Sequence, residues 1–131
     1  MRPRVSILTL PSSDLQRSLR FYRDGLGLPT EGVSAPEHGG NHILFTLESG
    51  LSLVLFDRIE LAKLTPGSAP AAGGAILSYP AESREEVDAV IAAAVAAGGT
   101  QAGDILAEPF GYHGHFRDPD GNLWEVVWFN G

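Results

Sequence analysis

Apolar and polar residues alternate or recur at short intervals through the first 57 residues. Residues 4–10, RVSILTL, predict a β-strand closed by Pro11. Apolar positions at helical spacing then predict a helix over Asp14–Asp24, with polar residues at its start that can cap it. Residues 42–49 and 50–57 predict two strands joined by a tight turn. The first half is therefore predicted to contain, in this order, a strand, a helix, a short strand and a hairpin.

The same series of elements is predicted a second time after a change in composition. Residues 58–73 are rich in Pro, Ala and Gly, which indicates a linker that begins with a short helical turn. Residues 74–80 predict a strand, and Ser83–Ala97 predicts a helix that starts with a Ser-x-x-Glu capping box. Residues 111–118 and 122–129 predict two more strands in a hairpin.

The two halves align with each other at an offset of 71 residues, which predicts an internal repeat. This offset places Gly40 on Gly111, His42 on His113, Phe45 on Phe116, Gly50 on Gly121 and Val54 on Glu125. We therefore predict one domain over residues 1–131, with a first module at 1–57, a linker at 58–73 and a second module at 74–131.

The composition excludes several classes of protein. The chain has 131 residues, 44% of them hydrophobic and 19% charged, which is typical of a globular domain. The net charge of −7 argues against nucleic-acid binding, which requires a basic patch. No apolar run reaches the roughly 18 residues that a membrane span requires. With no cysteine in the chain, we expect a cytoplasmic protein without a disulfide framework.

Glu125 is the least expected residue of the sequence, because it lies inside an apolar strand, LWEVVWF. Charged side chains are rarely buried without a partner. Alternation along the strand places Leu123, Glu125 and Val127 on one face and the two tryptophans on the other. Glu125 is therefore a candidate for holding a ligand, and it is a weak candidate for a catalytic base.

Two motifs resemble the vicinal oxygen chelate superfamily of glyoxalases, bleomycin-resistance proteins and extradiol dioxygenases. They are SSDLQRSLRFYRDGLGL, which resembles its first helix, and FRDPDGNLWEV, which resembles its last hairpin. The resemblance implies an α+β fold of two βαβββ modules whose sheets curl around a shared cavity. It also implies a homodimer, and it places Glu125 on the cavity side of its sheet.

Metal enzymes of that superfamily hold a divalent ion with four side chains, one from the first and one from the last strand of each module. By resemblance these positions fall at Ile7, Val54, Ala75 and Glu125. Three of them carry side chains that cannot coordinate a metal, and one carboxylate alone cannot hold a transition metal. The resemblance therefore implies a cavity with no metal and no cofactor.

The histidines leave a second interpretation of the same region open. His113 and His115 are two residues apart on a predicted strand and so share a face. His42 is the repeat partner of His113. Two histidines and a carboxylate form a known ligand set, so His42, His113, His115 and Glu125 are candidates for a rebuilt metal site. The alternative is that these histidines are solvated or line the sheet.

The expected ligand site lies on the inward faces of the strands and on the EPFGY segment, residues 108–112. Its candidate residues are Ile7, Phe45, Val54, Ala75, Phe110, Tyr112, His113, His115 and Glu125. The candidate partners for the Glu125 carboxylate are Arg117, a histidine, Tyr112 and water.

These observations favour a protein that binds a small, largely apolar organic molecule in a metal-free cavity. The expected partners are therefore a small-molecule ligand and a second copy of the chain, with no nucleic acid and no membrane. The alternative is a metal-dependent enzyme of the glyoxalase or dioxygenase type. The sequence does not identify the ligand.

Overall fold

The chain divides into two compact units, Met1–Ala71 and Ala72–Gly131, in a computed structural model that describes residues 1–67 and 70–131. The boundary between the units lies within the segment predicted as the linker, of which Ser68 and Ala69 are outside the described residues. No helix in the described ranges is long and apolar enough to cross a membrane.

The first unit is a four-stranded sheet with helical segments. Its elements are β1 (Ile7–Ser12), α1 (Leu15–Leu19) continued by a π-helical segment (Arg20–Gly25), β2 (Thr30–Val33), a 3-10 segment (Pro36–His38), β3 (His42–Thr46), β4 (Ser52–Asp57) and α2 (Arg58–Leu64). The strand order is β1-β4-β3-β2, with β1 parallel to β4 and the other pairs antiparallel.

The second unit repeats this plan with one additional short strand. Its elements are β5 (Ile76–Pro80), α3 (Arg84–Ala96), β6 (Thr100–Gln101), β7 (Leu106–Glu108), β8 (Gly111–Arg117) and β9 (Leu123–Phe129). The strand order is β5-β9-β8-β6, β7 also pairs with β8, and β5 is parallel to β9. Two sheets and three α-helices in the described residues confirm the predicted α+β class.

The strand registers reproduce the offset of 71 residues that the sequence predicts. In the first unit, Leu44 lies opposite Val54 across the β3–β4 pair. In the second unit, His115 lies opposite Glu125 across the β8–β9 pair. Each residue of the second pair follows its counterpart by 71 positions, so the two hairpins are built in the same register.

Pro11 corrects the prediction for the first strand. β1 does not end before Pro11 but continues through it to Ser12, where it pairs with Asp57 of β4. β1 lies at the edge of its sheet. An edge strand tolerates proline, because the missing N–H removes no hydrogen bond that a second neighbour would accept. The strand also starts later than predicted, at Ile7.

The connection between β3 and β4 is longer than the tight turn that the sequence predicts between residues 42–49 and 50–57. β3 ends at Thr46 and β4 begins at Ser52. Leu47 N donates to Leu51 O at 3.0 Å, and Gly50 N donates to Leu47 O at 3.1 Å. Gly50 has a φ of +90°, a conformation that favours glycine, so it closes this turn.

Each helix begins at a polar side chain that accepts hydrogen bonds from the first turn. Asp14 caps α1 by accepting from Arg17 N at 3.1 Å, and Ser83 caps α3 by accepting from Glu86 N at 3.0 Å. Asp57 accepts from two backbone N–H groups at the start of α2. α2 therefore extends over seven residues, longer than the short helical turn expected at the start of the linker.

One face of each sheet packs against a helical segment and forms the core of its unit. In the first unit, Tyr22 is fully buried and its ring centroid is 5.8 Å from that of Phe45. In the second unit, Ile91 of α3 is buried, and Phe116 and Trp124 of the sheet stack with centroids 5.9 Å apart. Side chains on the other face of each sheet are therefore free to form a site.

Candidate functional site

The face of the second sheet that points away from α3 carries a cluster of polar side chains. Residues in direct register share a face, so His115 and Glu125 lie on the same side, together with His113 two residues earlier. Trp124 and Val126 are buried on the side of α3, as the alternation along this strand predicts. The sequence thus placed Glu125 on the correct face.

His113, His115 and Glu125 come together in the structure. His113 Nδ1 is 3.4 Å from Glu125 Oε2, and His115 Nε2 is 3.8 Å from the same oxygen. Each of the three residues offers one nitrogen or oxygen atom that can bind a metal, and these three atoms lie within 4.8 Å of one another. The three side chains are 18–27% exposed, so solvent or a ligand can reach the cluster.

Two further polar residues lie next to this cluster. The sequence did not indicate Ser78, and it included Glu108 only as the first residue of the EPFGY segment. Ser78 lies opposite Glu125 in the parallel β5–β9 register, and its hydroxyl donates to Glu125 Oε1 at 2.9 Å. Glu108 of β7 has its Oε1 3.9 Å from His113 Nε2. Both residues come from strands whose registers are set by tertiary pairing, so the local sequence carried little signal for them.

Arg117 and Tyr112 are not the partners of Glu125 in this structure. Arg117 Nη1 donates to the carbonyl of Gly121 at 3.1 Å, and this bond stabilises the turn before β9. Tyr112 lies on the opposite face of the sheet because it is adjacent to His113 in the strand. Its hydroxyl donates to Asp88 Oδ1 of α3 at 2.8 Å, and this bond raises the pKa of the phenol above its usual value.

Phe45 also lies on the helix side of its sheet rather than on the open face. It is fully buried, and its repeat counterpart Phe116 is 1% exposed. The reason is again alternation along a strand, because Leu44 and Thr46 on either side of Phe45 are exposed. The large apolar side chain stabilises the core of the first unit instead of facing the open side.

In the second unit, the residue that corresponds to Ile7 is Ile76, and not Ala75 as the sequence predicts. Ala75 precedes β5 and is exposed. Ile7 is two residues before Thr9, which pairs with Val54. Ile76 stands in the same relation to Ser78, which pairs with Glu125. Like Ala75, Ile76 has no atom that can coordinate a metal.

The open face of the first sheet carries Ile7 and Val54, with Leu44 opposite Val54. The equivalent positions of the second unit carry Ile76, Glu125 and His115. Beside this face, a depression of about 700 Å³ is lined by residues between Pro29 and Thr46. The first unit thus repeats the geometry of the second with apolar side chains.

His42 occupies the place in β3 that His113 occupies in β8, but its contacts differ. His42 Nδ1 is hydrogen-bonded to Asn41 Oδ1 at 2.8 Å, and its ring stacks on Phe56 with centroids 5.5 Å apart. Of the four candidate residues for a rebuilt site, the second unit brings together three, His113, His115 and Glu125.

Exposed apolar side chains surround the polar cluster. Phe110 lies against His113 with ring centroids 5.2 Å apart, in an edge-to-face arrangement, and against Phe129 at 6.2 Å. Ile76 and Leu106 lie on the same face by their pairing with Leu123 and His113. The four apolar residues Ile76, Leu106, Phe110 and Phe129 are 45–59% exposed.

Comparison with known proteins identifies the family. The model of the Glyoxalase/Bleomycin resistance protein/Dioxygenase superfamily matches residues 4–126. A search of curated proteins finds no match.

Solved structures with the same fold include a glyoxalase-related enzyme from Fulvimarina pelagi, at 28% identity and a TM-score of 0.84, covering 96% of this chain and 88% of that one. A lactoylglutathione lyase from Agrobacterium tumefaciens is 25% identical with a TM-score of 0.72, covering 96% and 93%. A glyoxalase/bleomycin resistance protein from Albidiferax ferrireducens T118 is 26% identical with a TM-score of 0.70, covering 95% and 97%.

Proposed function

The chain belongs to the glyoxalase/bleomycin resistance protein/dioxygenase superfamily, and we propose that it binds a small, largely apolar organic molecule without the four-ligand metal centre of its metal-dependent relatives. Of the four positions expected for that centre, three carry Ile7, Val54 and Ile76, and only the fourth, Glu125, carries a carboxylate. Aliphatic side chains offer no lone pair to a metal, so this ligand set does not fit such a centre.

The observation that carries the proposal is the Glu125 cluster together with exposed apolar side chains on the same face of the sheet. Exposed apolar surface around a few fixed polar groups is typical of ligand sites, because the apolar area provides affinity and the polar groups fix orientation. Ser78 donates to Glu125 and His113 Nδ1 lies 3.4 Å from it, so one end of a ligand can bond to an already oriented carboxylate. A ligand with one donor or positive charge on an apolar body fits this arrangement.

Benzylammonium and benzoate test this proposal, because they have the same ring and opposite charges. The titrations use metal-stripped protein at about pH 8, where free imidazole is neutral, and follow backbone amide resonances. We expect benzylammonium to shift resonances of β5, β8 and β9 more strongly than benzoate does. The proposal fails if neither compound shifts these strands, or if Glu125→Gln binds benzylammonium as well as the unaltered protein does.

The alternative is a metal-dependent enzyme of the glyoxalase or dioxygenase type. It requires a metal held by residues other than Ile7, Val54 and Ala75. The grouping of His113, His115 and Glu125 is the observation that favours it. Loss of turnover of a glyoxalase substrate, the hemithioacetal of methylglyoxal and glutathione, after chelation would support this alternative over simple binding.

A further inference from the structure

We propose that His113, His115 and Glu125 bind one divalent transition-metal ion on the open face of the second sheet. This site shares only Glu125 with the four positions that the superfamily resemblance implies. The other two ligands come from one strand, β8, and all three belong to the same unit. A metal ion here would occupy the Glu125 carboxylate that the proposed cationic ligand uses, so the two compete. Metal binding requires no organic ligand and is tested separately from the proposed function.

The backbone geometry brings the three side chains to one point. His113 and His115 alternate with Gly114, so both rings project from the same face of β8. Glu125 lies directly opposite His115 and diagonal to His113 on the neighbouring strand. Such close cross-strand neighbours meet without any long loop to order, so most of the site is built by the sheet itself.

The distances between the ligand atoms are close to those that an ion requires. Protein ligands bind Zn²⁺ at about 2.0–2.2 Å, so adjacent ligand atoms in a tetrahedral site lie about 3.4 Å apart. His113 Nδ1 lies 3.4 Å and His115 Nε2 lies 3.8 Å from Glu125 Oε2. The ligand atoms of the two histidines are within 4.8 Å of each other, so side-chain rotation must shorten this third separation to place all three atoms on one ion.

The neighbours of the three ligands have the arrangement that orients metal ligands in proteins. Ser78 donates to Oε1 of Glu125, which leaves Oε2 directed at the histidines. Glu108 lies 3.9 Å from His113 Nε2, the ring nitrogen opposite the one that faces Glu125. A carboxylate hydrogen-bonded to the far nitrogen of a histidine fixes its orientation and increases its basicity toward a metal. At 3.9 Å Glu108 lies near this position but does not form that bond in the structure.

Two imidazoles and one carboxylate favour a first-row ion such as Zn²⁺, Ni²⁺ or Fe²⁺ over Mg²⁺, which prefers oxygen ligands. Three protein ligands leave at least one coordination position for water or for an oxygen atom of a small molecule. The side chains are 18–27% exposed, so these positions are accessible.

The test is a calorimetric titration of chelator-treated protein, free of any polyhistidine tag, with ZnCl₂, NiCl₂ and MgCl₂. We expect one Zn²⁺ or Ni²⁺ per chain, no heat from Mg²⁺, and shifts in the imidazole resonances of His113 and His115. His115→Gln and Glu125→Gln should each weaken Zn²⁺ binding by about 100-fold or more. Ser78→Ala should weaken it by about 10-fold, as is usual for a residue that orients a ligand.

His38→Gln is the matched control, because it removes a histidine from the 3-10 segment of the other unit and should leave Zn²⁺ affinity unchanged. Circular dichroism of every variant checks that the fold is retained. A protein that binds no Zn²⁺ or Ni²⁺ at micromolar concentration overturns the proposal. Binding that survives both His115→Gln and Glu125→Gln also overturns it. Failure of benzylammonium to bind would contradict only the proposed function.

Discussion

His115 lies directly opposite Glu125 across the β8–β9 pair, where the first unit has Leu44 opposite Val54. The repeat has therefore kept the backbone register and changed the side chains. One copy of the hairpin presents an imidazole and a carboxylate, and the other presents two aliphatic side chains. Of these two residue pairs, only the pair in the second unit therefore has side-chain atoms that can form hydrogen bonds or bind a metal.

Replacing Glu125 with Gln should keep the fold and weaken ligands that carry a positive charge or a donor. Glu125 faces the open side of the sheet and Gln has nearly the same shape, so the core is not disturbed. In metal-stripped protein, the loss of a charged hydrogen bond should reduce the binding free energy of benzylammonium by about 1–3 kcal/mol. Calorimetry or amide-shift titration measures this loss.

Glu48→Gln is the matched control for that change. Glu48 is exposed in the connection between β3 and β4, so its substitution alters the net charge equally but leaves the cluster intact. An equal loss of affinity in both variants would mean that only the overall charge attracts the ligand.

Self-association is the second prediction. β1 and β2 are the edges of the first sheet, and exposed edges with apolar neighbours tend to be covered in natural proteins. From the superfamily resemblance, we expect a second copy of the chain to cover these edges in a closed two-fold dimer. Light scattering at micromolar concentration should give twice the chain mass of 13.9 kDa. A mass equal to one chain would contradict this prediction.

Local patterns predicted much of the fold because they depend on near neighbours. Helix caps, the order of elements and the 71-residue repeat could be read from spacing alone, and the structure contains them. The alternation along β9 also predicted that Glu125 and the two tryptophans lie on opposite faces, and the superfamily resemblance predicted that the tryptophans face the helix. The same rule, applied to β8, would have separated Tyr112 from His113, and applied to β3 it would have placed Phe45 away from Leu44.

The partners of the site were harder to predict because they depend on which strands pair and in what register. Ser78 lies 47 positions before Glu125 in the sequence and meets it only through the β5–β9 pairing. A shift of one residue would turn Ser78 to the other face. For the same reason the sequence alignment chose Ala75 where the register has Ile76. That Ile7, Val54 and Glu125 line one cavity stays a prediction.

A larger side chain at Gly111 should strongly destabilise the second unit. A Cβ at this position would lie 1.9 Å from the carbonyl oxygen of Trp128 on the paired strand, so the backbone would have to move. We expect Gly111→Ala to reduce the free energy of unfolding by about 3 kcal/mol or more, in the range of severe steric changes. Chemical denaturation followed by tryptophan fluorescence measures the difference.

Gly103→Ala separates this steric effect from backbone strain. Gly103 also has a positive φ, +76°, but a Cβ there would meet no atom within 4 Å. Its substitution should cost only the strain of a left-handed conformation, about 1–2 kcal/mol. Equal losses in the two variants would show that contact with Trp128 is unimportant.

The bond between Tyr112 and Asp88 should make part of the stability depend on alkaline pH. The bond raises the pKa of the Tyr112 phenol, chiefly through hydrogen bonding to the Asp88 carboxylate. Because the pKa of Tyr112 is higher in the folded state than in the unfolded chain, the bond stabilises the fold at pH values below the unfolded pKa of about 10. This contribution is lost as the pH rises through the folded pKa. Asp88→Asn should lower the pH at which Tyr112 ionises, measured by ultraviolet titration against Tyr112→Phe. An unchanged titration would contradict the assigned bond.

The buried serine pair of the first unit provides the last prediction. Ser12 and Ser18 are 0% and 1% exposed, and their hydroxyl oxygens are 2.6 Å apart. Replacing one of them with Ala leaves the other hydroxyl buried with a lost partner, which should cost about 1–3 kcal/mol of unfolding free energy. Replacing both removes both hydroxyls and the bond between them. The Asp14 N–H, which donates to Ser12 Oγ at 3.3 Å, loses its acceptor equally in Ser12→Ala and in the double variant. Ser12→Ala with Ser18→Ala should therefore cost less than the sum of the single changes, and a double-mutant cycle by urea denaturation measures the difference. Strict additivity would show that the two hydroxyls do not depend on each other.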